Sequence, residues 1–238
     1  MGDLARSCAE TLPESAREAL WARGVTDEQI ALYGLGYINR TLPLGDFPEN
    51  FVQWSSVGDR IEDSIVFPLT NVLGDIRGLQ FRHVARDRAG YMNYIEVNDE
   101  AIFFGLGQAA PHLWSQQSVL LVEGAFDVFP FQRVFPGTIG TLTARVTDPL
   151  FRLLRRLVAR VWLGYDMDDA GRRACERCQR QLSSEKIDAR VIQYPRVQMV
   201  GTTKLAKDPN ELWETWGDAR FQMEMRALMG LNKETSNA

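Results

Sequence analysis

The sequence predicts an α+β N-terminal subdomain followed by an α/β domain with a central parallel sheet flanked by helices. Three observations carry this. Helix signals give way at Ile61 to short strand-like runs, without regular alternation between the two. From Ser118 onward, strand and helix patterns alternate four times, the signature of a parallel sheet. The chain has 238 residues, 45% of them hydrophobic, which is enough for one large or two small cores. The expected divisions are residues 1–115, residues 116–216 and a helical tail, 217–238.

In chain order, two short helices are expected between residues 10 and 33. The first opens at Pro13-Glu14 and closes at Gly24; the second is capped by Thr26-Asp27-Glu28. Gly34 to Ile38 reads as a turn into a strand, and Pro43 to Pro48 as a loop. Ile65–Leu69 and Ile76–Phe81, with a turn near Asn71 and Gly74, form a hairpin-like pair whose Pro68 suits an edge strand. Tyr91–Ile95 and Ile102–Gly105 are short extended pieces, and Gln108–Trp114 is a helical connector. Val119–Val122 is a buried strand with a helix after it to Val134, then Thr138–Leu142 is a strand and turn. Asp148-Pro149 starts a helix to about Ala159. A central strand around Val161–Leu163, a helix from Asp169 to about Leu182, a strand Ala189–Gln193, a loop, and a final helical stretch complete the chain.

Acidic residues fall where these strands end. Val161 to Gly171 reads Val-Trp-Leu-Gly-Tyr-Asp-Met-Asp-Asp-Ala-Gly, and alternation at a strand end lets Asp166 and Asp168 face one way. Gathered carboxylates repel, and a hard divalent cation such as Mg2+, which takes oxygen ligands and keeps several waters, offsets that cost. The plainer alternative is a helix start, with Asp168 and Asp169 complementing the helix dipole. Glu123 comes directly after the first parallel strand, Asp127 sits one helical turn beyond it, and Asp208 lies in the loop after the fourth strand. Acids at several strand ends point to metal-dependent phosphoryl or nucleotidyl chemistry.

Net charge is −4, which argues against strong non-specific binding of nucleic acid. Two arginine groups could still supply a local basic track. One is Arg77, Arg82, Arg86 and Arg88 with His83; the other is Arg152, Arg155, Arg156 and Arg160, whose helical spacing suits a solvated face. Three cysteines cannot build a disulfide framework and fit a reducing compartment. Cys175 and Cys178 recur with Gly171, Ala174 and Leu182 at helical spacing, the pattern of a buried stripe. No apolar run reaches membrane-spanning length and the first residues lack a secretory pattern, so the expected location is the cytoplasm or nucleoid of a bacterial host cell, with no membrane partner.

Val-Glu-Gly-Ala-Phe-Asp (122–127), Gly140-Thr141, Asp-Met-Asp-Asp-Ala-Gly-Arg (166–172) and Lys-Asp-Pro-Asn-Glu (207–211) resemble the ordered motifs of a TOPRIM domain. Upstream, Ala-Arg-Gly-Val-Thr-Asp-Glu-Gln-Ile (22–30), Leu-Gly-Tyr (35–37), Ile-Val-Phe-Pro-Leu (65–69), Gly-Leu-Gln-Phe-Arg (78–82), Tyr-Met-Asn (91–93) and Phe-Gly-Leu-Gly-Gln-Ala (104–109) are similar to the catalytic core of DnaG-type and phage DNA primases. The resemblance covers roughly residues 13–215. It implies a nucleotidyltransferase that makes RNA primers on single-stranded DNA from ribonucleoside triphosphates, with Mg2+ or Mn2+ held by Glu123, Asp127, Asp166, Asp168 and Asp208. Glu123, Asp166 and Asp168 are the catalytic residues so implied. Arg23, Arg77, Arg82, Asn93 and Lys207 are the expected nucleotide or template contacts.

Departures accompany the match. Met167 and Asn210 are spelled as in the phage primase-helicase and Twinkle group, and Ser64, Val72 and Gly90 stand where bacterial primases carry basic residues. No zinc-ribbon cluster and no Gly-x-x-x-x-Gly-Lys-Ser/Thr loop occurs in these residues, so a separate zinc-binding module or replicative helicase is the expected partner. Two rival readings use the same residues: a TOPRIM-type metal-dependent nuclease and a non-catalytic replisome adaptor. An apolar stripe of Phe221, Met225, Leu228 and Met229 in the tail could meet a partner or dock on its own domain.

Overall fold

The computed structural model describes residues 1–39, 61–84, 91–95, 99–142, 147–199, 202–206 and 208–231. The chain forms two compact units, Met1–Gly107 and Gln108–Ala238. The expected loop from Pro43 to Pro48, the arginines Arg86 and Arg88, Gly90, and Lys207 lie outside the described residues.

The first unit opens with α1 (Gly2–Glu10), α2 (Glu14–Trp21) and α3 (Asp27–Tyr33). The latter two are the expected pair. Thr26 caps α3 in a full capping box: its hydroxyl accepts from the Gln29 amide, and the Gln29 side chain accepts from the Thr26 amide. Gly34, left-handed at φ 60°, ends it. Helix α1 is an addition to the expected elements. It has no side-chain cap at Met1, so the usual start signal is missing. It forms because Leu4, Ala5 and Cys8 pack on a core with Ile38, Val66, Leu79, Phe81 and Tyr94.

That core lies against an antiparallel sheet of β1 (Gly36–Ile38), β2 (Ser64–Thr70), β3 (Ile76–His83), β4 (Tyr91–Ile95) and β5 (Phe103–Phe104). Strand β2 is central, not an edge: β3 pairs with it from Ser64 to Thr70, while β1 pairs with Ser64–Val66 and β5 with Leu69 and Thr70. Pro68 escapes the expected conflict because it falls between the residues paired with β1 and those paired with β5. The β2–β3 turn is held by the Asn71 side-chain oxygen, which accepts from the Leu73 and Asp75 amides at 3.0 and 2.9 Å.

The second unit begins in α4 (Leu106–Gln116), longer than expected and tolerant of Pro111, and continues with β6 (Ser118–Val122), α5 (Ala125–Gln132), β7 (Thr138–Gly140), α6 (Asp148–Leu157), β8 (Arg160–Gly164), α7 (Asp169–Ser184) and β9 (Asp188–Val191). The strands run β7-β6-β8-β9, every neighbouring pair parallel, as the alternation predicts. Strands β6 and β8 are buried except for Arg160, so their near-continuous apolar runs are the runs of a sheet covered on both faces. A two-stranded hairpin, β10 (Arg196–Met199) with β11 (Thr202–Leu205), replaces the expected loop. Helices α8 (Pro209–Trp216) and α9 (Asp218–Met229) complete the unit.

The tail stripe docks on its own unit. Phe221, Met225 and Met229 are buried in α9, with Phe221 edge-on to Phe131 of α5 at 5.3 Å, and Arg133 pairs with Asp218 at 3.1 Å. Leu228 is exposed. Gly171, Ala174, Cys175, Cys178 and Leu182 are all buried in α7, the stripe that helical spacing predicts. In α6, Leu150 and Leu154 are buried and Arg155 reaches Glu185 at 3.7 Å, so Arg152, Arg155 and Arg156 occupy a solvated face, while Arg160 belongs to β8. No helix among the described residues is long and apolar enough to cross a membrane.

Candidate metal centre

The carboxyl ends of three strands lie level, because Val122 is opposite both Gly140 and Gly164. The residues directly after each strand are therefore delivered to one place. Thr141 fastens the first of these ends: its amide and its hydroxyl both donate to the Val122 carbonyl, at 2.9 and 3.1 Å. The Leu142 amide donates to the Glu123 carbonyl at 2.9 Å. Glu123 is thus held by its backbone while its side chain stays half-buried.

Asp127, in the first turn of α5, is 8% exposed. Its Oδ2 accepts from the Gly124 amide at 2.9 Å, so it folds back toward the strand end. Glycine is needed at 124 because a Cβ there would lie 2.8 Å from that oxygen. Burial, and then the negative charges of Asp208, Asp166 and Glu123, push the Asp127 carboxyl well above the usual carboxylate range. Asp208, Asp166 and Glu123 are therefore near enough to act on Asp127.

Asp208 is the N-cap of α8, its Oδ1 accepting from the Glu211 amide at 2.8 Å, and α8 packs on α5, the helix that carries Asp127. Pro209 at the first helical position fits this start. Asp166 lies beyond β8, which ends at Gly164, so strand alternation does not reach Asp168. Asp168 instead caps α7, with Oδ1 accepting from the Ala170 and Gly171 amides at 3.0 and 2.9 Å. The helix-start alternative thus describes Asp168, and Asp169 is the acid of the first turn. Asp168 is exposed.

Tyr194, just past β9, is a site residue that sequence reasoning misses. Its buried hydroxyl donates to the Gly164 carbonyl at 2.6 Å. Burial first, then the charges of Asp127 and Asp166, raise its own ionisation well above the usual phenol range. The available signal is an aromatic hydroxyl at the carboxyl end of a parallel strand, the edge where the acids gather.

Lys207 apart, the expected basic and polar contacts belong to the first unit. Arg77 is the extra residue of a β-bulge, since Leu69 pairs with Gly78 and Thr70 with Ile76. Asp75 and Glu100 engage it at 3.6 and 4.0 Å. Arg82 is half-buried on β3, opposite Ile65 and Tyr91. Asn93 accepts a hydrogen bond from the Gln80 side chain at 2.9 Å. Arg23 lies just past α2, its amide donating to the Leu20 carbonyl at 2.9 Å.

The donor set of the centre is all hard oxygen, suited to Mg2+ or Mn2+. Among the described residues no three Asp, Glu, His or Cys side chains form a group that could hold a metal ion. A cation that keeps its waters and uses one or two protein carboxylates asks for no such cage. The repulsion felt at Asp127 is the feature that fits a cation here.

Residues 120–213 match the Toprim-like family. The DNA primase of Deinococcus radiodurans is 29% identical over 245 residues, covering 93% of this chain and 43% of that protein. The chain thus spans less than half the length of that relative. The zinc-binding and RNA polymerase domains of the Aquifex aeolicus primase superpose with a TM-score of 0.75 at 23% identity, covering 93% of this chain and 57% of that one. A DnaG primase catalytic domain bound to single-stranded DNA gives 0.75 at 22%, covering 95% and 79%. These structures share the fold. The Toprim-like residues fall on the unit that gathers the carboxylates, and over most of its length the chain is similar to DNA primases and shares the fold of a DnaG catalytic core.

Proposed function

We propose that this core makes short RNA primers, joining ribonucleoside triphosphates on a single-stranded DNA template by metal-dependent nucleotidyl transfer. What supports the reading is that Glu123 and Asp166 follow the level ends of β6 and β8, and that Asp208, Asp166 and Glu123 all act on the buried Asp127 carboxyl. A bound Mg2+ or Mn2+ would neutralise charge at the transferring phosphorus and on the pyrophosphate that leaves. Glu123 and Asp166, half-buried and nearest the strand ends, would hold it. Asp127 supports them from beneath, fixed to the Gly124 amide, and Asp208 closes the group from α8. Glu123 would accept the proton of the attacking 3′-hydroxyl. Asp168 orders the start of α7.

Arg82 and Asn93 are the proposed template contacts, and Arg23 and Lys207 the proposed contacts to nucleotide phosphates. Arg77 is the weakest of these candidates because Asp75 and Glu100 already engage it. The related catalytic domain bound to single-stranded DNA supports such a template, and the zinc-binding domain of the Aquifex primase supports a zinc module acting together with the core. A replicative helicase would serve the same tethering purpose.

The test is to incubate the chain with single-stranded DNA, labelled ribonucleotides and Mg2+ or Mn2+. Short RNA products are expected. Cleaved DNA without products would assign the centre to a nuclease, and no reaction with either metal, even with a zinc module added, would leave a non-catalytic adaptor.

A further inference from the structure

The second unit holds a cavity of about 380 Å3 away from the carboxylates. That volume falls within the roughly 300–1,000 Å3 of ligand pockets. Its position is set by the sheet. Ser118 and Arg160 line it, and they are register partners at the amino-terminal ends of β6 and β8. Val122 and Gly164, which lead into Glu123 and Asp166, are register partners at the other ends. Four strand steps, about 13 Å, separate the two levels.

The lining has one sign of charge. Arg160 and Arg226 contribute guanidinium groups, and among the described residues neither Asp nor Glu lines the cavity. Arg160 pairs with Asp188 at 3.0 Å, but that carboxylate is shared with Arg190 at 2.9 Å, so two cations face one anion. Arg226, reaching in from α9, donates to a neutral acceptor, the Arg133 carbonyl, over a long 3.4 Å. Polar and flat surfaces complete the wall. His112 Nε2 and the Ser118 hydroxyl are 3.3 Å apart, Phe135 lies edge-on to the His112 ring at 4.5 Å, and Trp162 lines the same space.

Guanidinium groups recognise phosphate oxygens through paired N–H donors, and aromatic walls take a flat ring. We propose that this pocket binds a nucleoside monophosphate, its phosphate toward Arg226 and Arg160 and its base beside Phe135 and His112, since the Arg190 guanidinium already lies over the Trp162 ring at 5.3 Å. The site is separate from the carboxylate centre and does not depend on the function proposed for it.

Calorimetric titration of adenosine monophosphate into the intact chain, with EDTA present to remove divalent ions, tests this. One site per chain is expected. Arg226→Ala should weaken binding at least about tenfold, and Arg226→Lys, which keeps the charge, should weaken it less. Glu123→Gln should leave it unchanged, which separates this pocket from the carboxylate centre. Circular dichroism of each variant confirms that the fold is kept. Absence of binding, equal affinity in Arg226→Ala, loss in Glu123→Gln, or affinity for inorganic phosphate or adenosine equal to that for the monophosphate would each overturn the proposal.

Discussion

Gly171 lies so close to Asp166 that a Cβ on the glycine would sit 2.0 Å from the Asp166 carbonyl oxygen and 2.7 Å from its carbonyl carbon. The first turn of α7 therefore rests directly on the backbone of a metal-site candidate. No side chain fits there, and the atoms it would meet are backbone, which cannot swing aside. This explains why the stretch is spelled Asp166-Met-Asp168-Asp-Ala-Gly171: one acid at the strand end, one capping the helix, and a glycine that lets the helix approach the first.

Gly171→Ala should consequently damage both stability and the site. A loss of roughly 2–4 kcal/mol is expected, lowering the melting temperature by about 5–15 °C. Priming should fall even at temperatures where the variant is folded, since relief of the clash must displace Asp166 or the helix start. A melting curve and primer assay indistinguishable from wild type would show that the helix yields without cost.

On the proposed function, Glu123 and Asp166 contribute charge rather than packing. Glu123→Gln and Asp166→Asn remove mutual repulsion felt at Asp127, so each variant should melt at or above the wild-type temperature without metal while losing primer synthesis by at least about a hundredfold. Added Mg2+ should raise the melting temperature of wild type more than that of either variant. Substantial synthesis by either would remove these two residues from the centre.

Tyr194 acts through Gly164. Tyr194→Phe leaves a buried carbonyl without this donor, a cost of about 1–3 kcal/mol. The expected kinetic signature is a higher Mg2+ concentration for half-maximal priming, with much of the maximal rate recovered at saturation. An unchanged metal dependence would make the tyrosine a packing residue alone.

Much of the fold is legible in sequence because local signals agree with it. Thr26 with Gln29, Asp148-Pro149 and Asp208-Pro209 are helix starts with their chemistry written out, and Val119–Val122 could only be a buried strand. Glu123, Asp127, Asp166 and Asp208 can be read as one group because strand ends in a parallel sheet share an edge. The elements that escape such reading depend on tertiary contact. Helix α1 has no cap and exists through its core contacts, Pro68 is accommodated by which residues β1 and β5 pair, and Tyr194 matters through a carbonyl thirty residues away. Strand alternation misplaces Asp168 because the pattern does not persist past the end of β8, where the chain turns into the cap of α7.

The three thiols should behave as core groups. Cys8 is fully buried and Cys175 and Cys178 are nearly so. Burial pushes the Cys8 thiol up to about 12 and the Cys175 thiol up to about 11. A thiol whose ionisation is raised in the folded state favours folding fully below its unfolded value, near 9, and that contribution is lost as pH climbs through the folded value. Stability should therefore decline between about pH 9 and 12, less steeply in Cys8→Ala. A thiol reagent at about pH 8 should modify none of the three until denaturant is added. Replacing Cys175 and Cys178 together with Ala should cost stability without abolishing priming. Rapid modification of native protein, or stoichiometric zinc lost in that double variant, would contradict their burial as a structural stripe.

Helix α9 is the last place where the sequence leaves two outcomes open, and its packing decides what truncation should do. Phe221, Met225 and Met229 bury their side chains in the second unit, Phe221 meets Phe131 edge-on, and Arg133 pairs with Asp218. Phe131 also lies 6.5 Å from Tyr194, the residue fastened to Gly164 beneath the acids. Ending the chain before Asp218 would expose this apolar surface, and each fully buried side chain contributes roughly 1.5–3 kcal/mol. The truncated chain should thus be less soluble, melt well below wild type and prime poorly even when a zinc module is supplied. Replacing only the exposed Leu228 and Met223 with Ser tests the outer face alone. Those substitutions should leave the melting temperature within about 1 °C of wild type. If they abolish stimulation by a zinc module or helicase while the lone chain primes as before, the outer face of α9 is the partner contact. If stimulation is unchanged, α9 serves the unit it is packed on.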